Sequence, residues 1–197
     1  MFLPIFPLNG AVLFPETNLP LNIFEDRYIE MVNYALSLNR LIGMVQQDKN
    51  GKLFKVGCVG KITNFNETKD GRYLINLQGI NCFKIKKEIK EKYKFRIVDA
   101  ANIKTEYNKT DNNREIKDLI FKKYALYLKN NNFDFNLSEF KKLNSIQLAK
   151  FIVMASPFDD LDKQMLLEIN GLNEFYKKLI SVLEIELANI SSKKTIN

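Results

Sequence analysis

The sequence predicts an α+β protein, with a β-rich part over residues 1–105 that holds one early helix and a helical part over residues 106–197. Three observations carry this prediction. Pro4, Pro7, Pro15 and Pro20 cut the opening apolar run into short pieces, because a residue without an amide proton is confined to strand ends, edges and turns. Asp70-Gly71 lies between two long β-prone runs, where its tolerance of positive φ suits a hairpin turn. Beyond a polar stretch at residues 105–113, apolar residues recur at helical rather than strand spacing.

The elements follow in order. After the punctuated opening strands, Tyr28, Met31, Val32, Ala35 and Leu36 share one face of a helix over about residues 25–38. Residues 41–46 read as a short buried strand, and the turn residues of 48–51 end it. Residues 56–65 and 73–87 read as the next two strands. Gly57, Gly60 and Gly79 within them suggest bulges or tight barrel corners. Residues 92–97 alternate strictly, which predicts a strand that buries Tyr93, Phe95 and Ile97 and exposes Lys92, Lys94 and Arg96.

In the helical part, Ile116, Leu119, Ile120, Tyr124 and Tyr127 make one helix that Asn130, Asn131 and Asn132 stop. Ser145 is the expected N-cap of a second helix carrying Leu148, Ala149, Ile152 and Val153, which ends before Pro157. Asp159 or Asp160 can cap a short third helix, with Gly171 as its stop. A final helix presents Leu172, Tyr176, Leu179, Leu183, Leu187 and Ile190 in a stripe that packs on neighbouring helices, and residues 191–197 read as a frayed tail.

Composition removes many functions. Histidine and tryptophan are absent, so imidazole bases, Ser-His or Cys-His nucleophile pairs and His-dependent zinc sites are excluded. Cys58 and Cys82 cannot supply four metal ligands, and a structural role for both thiols is preferred over a reactive or bridged pair. Gly57-Cys58-Val59-Gly60-Lys61-Ile62 fails as a phosphate loop: two residues separate its glycines and no hydroxyl follows the lysine. The carboxylate pairs Glu25-Asp26 and Asp159-Asp160 sit at helix starts, where they favour the helix dipole. No catalytic set, metal site or cofactor is expected. Nor is a signal peptide or membrane span, so a cytoplasmic location is.

The net charge of +7 has a local source. Between residues 84 and 96 lie Lys84, Lys86, Lys87, Lys90, Lys92, Lys94 and Arg96, against Glu88 and Glu91 alone. A basic strand face of this kind can bind nucleic acid. The same excess follows from a chain rich in Lys, Asn and Ile throughout, and only five of its basic residues are arginine, the side chain suited to bidentate phosphate contacts.

The opening residues Leu3-Pro4-Ile5-Phe6-Pro7-Leu8, Leu13-Phe14-Pro15, Leu19 to Tyr28 and Val56-Gly57-Cys58-Val59-Gly60 resemble the N-terminal, substrate-binding domain of Lon-type ATP-dependent proteases. The hairpin of residues 70–79 and the short helix around Lys163-Gln164-Met165-Leu166-Leu167-Glu168 are similar to that family too, although Cys82 stands where the family commonly has arginine. The resemblance implies a PUA-like small β-barrel over residues 1–105, a helical bundle over residues 106–197, and a stand-alone member without the ATPase and Ser-Lys protease modules. It implies a non-enzymatic protein-binding module that recognises exposed or unfolded polypeptide segments, with protein substrates or a separate protease or chaperone as partners. RNA or other nucleic acid bound by the basic strand face is the alternative. The binding residues expected are Arg27, from the recurring Phe24-Glu25-Asp26-Arg27-Tyr28 signature, and Lys86, Lys90, Lys92, Lys94 and Arg96. Phe24 and Tyr28 of the signature are expected in the core.

Overall fold

The computed structural model describes residues 1–89, 93–104, 111, 113–133 and 138–195. By their internal contacts these fall into two compact units: Met1–Thr105 with Phe158–Glu168, and Glu106–Pro157 with Ile169–Asn197.

The first unit holds strands β1 (Phe2–Pro7), β2 (Asn18–Ile23), β3 (Leu41–Gln47), β4 (Leu53–Glu67), β5 (Tyr73–Ile89) and β6 (Arg96–Asn102), with helix α1 (Asp26–Ser37) between β2 and β3. The expected PUA-like barrel is corrected here. The strands form one six-stranded sheet in the order β2-β5-β4-β3-β1-β6, parallel only where β1 meets β3. β5 is long enough to pair with β2 at Tyr73–Gln78 and with β6 from Phe83 to Ile89, so the sheet curls back along it. β2 nevertheless pairs with β5 alone and leaves an edge, which a closed barrel abolishes. Pro20 lies on that edge strand. Pro4 pairs only with Ile97 of β6, since β1 meets β3 from Ile5 onward.

The core of this unit gathers Leu3, Ile5, Val45, Val59, Phe83, Val98 and Ala100. Two glycines make room for its largest ring: a Cβ built on Gly43 or Gly57 would fall 2.9 or 2.8 Å from the Phe83 ring. Gly79 receives the loop before β2, donating to Thr17 O (2.8 Å) and accepting from Glu16 N (2.8 Å). The pairing of β4 with β5 shifts register between Val59 and Gly60, so Gly60 and its partner Gly79 mark a bulge as predicted.

Helix α4 (Asp160–Glu168) follows the helical segment in sequence yet packs with the sheet. Polar contacts hold it: Gln164 Nε2 donates to Val56 O (3.0 Å), Gln46 Nε2 to Asp160 O (3.0 Å) and to Gln164 Oε1 (3.1 Å), and Lys163 Nζ to Gly10 O (2.7 Å).

The second unit contains α2 (Arg114–Asn130), a short 3-10 turn (Glu139–Lys142), α3 (Ser145–Ala155) and α5 (Leu172–Thr195). Asn113 caps α2 by accepting from Ile116 N at 3.1 Å, and the asparagine run ends it as predicted, with Asn132 at φ 57°. The N-cap of α3 is Asn144, not Ser145: Asn144 and Gln147 exchange side-chain bonds in a capping box. Ser145 is instead buried, and its hydroxyl donates to Asp111 O at 2.6 Å, while Tyr176 donates to Asp111 Oδ2 at 2.7 Å. Gly171 does not stop α4, which ends at Glu168; its carbonyl accepts from Phe175 N at 2.9 Å and opens α5. The tail expected to fray is helical through Thr195.

Candidate protein-binding surface

The surface of interest surrounds α1. β2 buries Ile23, the residue registered against Tyr73, and the chain then turns through Phe24 and the N-cap Glu25 into the helix. The turn divides the expected signature. Tyr28 is core, with its ring edge-on to Phe6 at 4.5 Å. Phe24 is 68% exposed, which corrects its placement in the core. Strand alternation contains the reason: Leu19, Leu21 and Ile23 are the more buried members of β2, so the next residue points away from the core.

Arg27 closes this corner. Its Nε and Nη2 donate to Glu25 Oε2 at 2.9 and 2.8 Å, and its guanidinium lies 4.5 Å from the centroid of the Tyr28 ring. Burial raises the Tyr28 hydroxyl pKa, and Arg27 and Arg96 oppose the rise.

Aromatic pairs flank the helix. On one side the rings of Phe65 and Tyr73 meet at 4.9 Å, and the Tyr73 hydroxyl donates to Asn33 Oδ1 at 3.2 Å. On the other, Tyr34 lies 5.1 Å from Tyr93 and 5.3 Å from Phe95, whose rings stack at 5.0 Å. Phe95 is buried, whereas Phe65 and Tyr93 are exposed. The strand predicted for residues 92–97 is corrected: β6 begins at Arg96, residues 93–95 form a bend, and Tyr93 faces outward.

The basic residues are dispersed. Arg96 donates to both carboxylate oxygens of Glu88 at 2.8 Å, so its guanidinium is paired. Lys86 and Lys94 are exposed, as are Lys84 and Lys87. Lys90 and Lys92 lie outside the described residues. Lys86 also sits where the pairing of β5 with β6 shifts register, between Ile85 and Lys87, so the lysines do not share one flat strand face.

A second basic spot, in the helical unit, is lined by Arg114, Lys117, Lys142, Asn144 and Ser145. Two of its cations are engaged: Lys117 Nζ donates to Lys141 O at 2.8 Å and Lys142 pairs with Glu139 at 2.9 Å. Among the described residues no His, Cys, Asp and Glu group could hold a metal ion, and no helix is long and apolar enough to cross a membrane.

The family model for the substrate-binding domain of ATP-dependent protease La (LON) matches residues 2–184, and the chain belongs to that family. It is similar to the Lon protease of Flavobacterium johnsoniae, 26% identical over 209 aligned positions that cover 98% of this chain and 25% of that one. The Lon protease of Buchnera aphidicola subsp. Baizongia pistaciae is 23% identical, covering 98% of this chain and 26% of its own. The chain therefore spans about a quarter of the length of these curated relatives. The crystal structure of a Lon N-terminal domain protein from Xanthomonas campestris shares the fold, with a TM-score of 0.69 at 19% identity, covering 92% of this chain and 98% of that one. The matched region is the family's substrate-binding domain.

Proposed function

We propose that this chain captures exposed apolar segments of other polypeptides in the cytoplasm and presents them to a protease or chaperone. The observation that carries this reading is Phe24, a phenyl ring 68% exposed at the corner of β2 and α1 in a chain of the Lon substrate-binding family. Fully burying such a side chain is worth about 1.5–3 kcal/mol, so a partner that covers the exposed part gains on the order of 1–2 kcal/mol. Phe65 and Tyr93 are further exposed aromatic rings of the same unit, beside Tyr73 and Tyr34.

The test is fluorescence anisotropy of a labelled, permanently unfolded polypeptide titrated with the protein. Saturable binding is expected, and Phe24→Ser should weaken it roughly tenfold, the equivalent of about 1.4 kcal/mol. Because Phe24 is exposed, the melting temperature of the variant should be almost unchanged. Absence of saturable binding would sink the function; binding indifferent to Phe24→Ser would sink this surface as its site.

The exposed Lys84, Lys86, Lys87 and Lys94 favour a second reading, in which single-stranded RNA binds here. The pairing of Arg96 with Glu88 weighs against it, since it withdraws a guanidinium that would contact phosphate.

A further inference from the structure

Cys58 and Cys82 lie 24 positions apart in sequence but are direct partners in the pairing of β4 with β5. Directly opposed residues of antiparallel strands point to the same face of the sheet, and both thiols are buried, at 0% and 1% exposure. The type of pair can be read from the third strand. Cys82 O accepts from Ile103 N at 2.8 Å, so the Cys82 peptide groups are directed toward the β6 side and away from β4. Cys58 and Cys82 are thus a non-hydrogen-bonded pair, the arrangement that brings opposed Cα atoms to about 4.5 Å and side chains closest together. A disulfide spans Cα separations of about 4.4–6.8 Å, a range that includes the usual spacing of such a pair. Both cysteines are present as thiols in this structure.

We propose that Cys58 and Cys82 form a redox site, a latent cross-strand disulfide that a low-molecular-weight disulfide can close. One thiolate attacks a sulfur of the small disulfide, breaking its S–S bond and releasing one small thiol. The second thiolate attacks the resulting mixed disulfide at the protein sulfur, forming the Cys58–Cys82 bond and releasing the second small thiol. The two cysteines lose two protons and two electrons, and the small disulfide takes up both. Burial makes the first attack depend on transient separation of β4 from β5, so the reaction is slow in the native protein. Once formed, the bond links the two longest strands of the sheet.

The full-length protein incubated with glutathione disulfide at neutral pH tests this by intact mass and by thiol labelling after denaturation. The expected product has lost two hydrogens, retains no glutathione, resists labelling and reverts with dithiothreitol. Its melting temperature should be higher by roughly 5–10 °C, as cross-linking a loop of this length predicts. Cys58→Ala and Cys82→Ala, checked for folding by circular dichroism, should each stop at the mixed disulfide with glutathione. Two labelled thiols after prolonged exposure, or a wild-type protein that retains glutathione, would overturn the proposal.

Discussion

Single side chains account for the separation of structural from exposed residues in the Phe24–Tyr28 corner. Tyr28 pays for its burial with an aromatic partner, Phe6, while Phe24 one helical turn earlier has left the strand and not yet entered the helix. Arg96 illustrates the limit of reading charge from sequence. It is basic and predicted exposed, yet it is half-buried and bidentate to Glu88, whose carboxyl it holds below the ordinary glutamate range. Because the folded pKa is depressed, the pair's contribution is fully present above the unfolded value near 4.5 and is lost as pH falls through the lower folded value. Both side chains remain partly solvated, so Glu88→Gln should cost no more than about 1 kcal/mol at pH 7. Urea denaturation checks this: the wild type and variant should differ at pH 7 and converge as acid protonates Glu88. A gap that persists in acid would mean the ion pair is not its source.

Among the elements, α4 is the least expected. Its sequence reads as one more helix in a helical run, but its buried residues include Lys163 and Gln164, and their partners are backbone carbonyls of the sheet unit. Burial lowers the Lys163 pKa, with Asp160 acting the other way. A lysine whose folded pKa is depressed destabilises the fold when charged; that cost is complete below the folded value and disappears as pH rises to the unfolded value near 10.5. Stability of the wild type relative to Lys163→Met should therefore increase between pH 7.5 and pH 10, measured by urea unfolding of both proteins at each pH. A flat or falling difference would show that Lys163 is not desolvated where α4 meets the sheet. The other helices are better specified, because caps and apolar periodicity are local: the asparagine stop of α2 is legible, and the N-cap of α3 lies one residue before the expected Ser145. Sheet connectivity is less so, since the pairing of β5 with β2, β4 and β6 depends on residues far apart in the chain.

For the whole molecule, net charge and apolar surface make opposing demands on the partner. The charge of +7 would produce steep salt dependence if phosphates were the ligand, with log K falling by about 0.7 per phosphate neutralised on a single strand for each tenfold rise in salt. Apolar capture by Phe24 and its neighbours should be nearly salt-tolerant, because the driving force is removal of surface from water. Titrations at low and physiological salt should thus change polypeptide affinity less than about threefold, whereas charge-driven binding of RNA would change it far more. A polypeptide affinity as salt-sensitive as RNA binding would move the site to the lysines. Periodicity, caps and composition, all local, suffice for the α+β division, α1 and its buried face, the hairpin at Gly71, the absence of imidazole chemistry and the family likeness. The folded chain alone shows that the sheet keeps an edge at β2, that α4 packs with the sheet, that Arg96 is paired, that Phe24 and Tyr93 face outward, and that Cys58 opposes Cys82. Each of these depends on which distant segments meet, and local spacing records the face of an element without recording what will cover it.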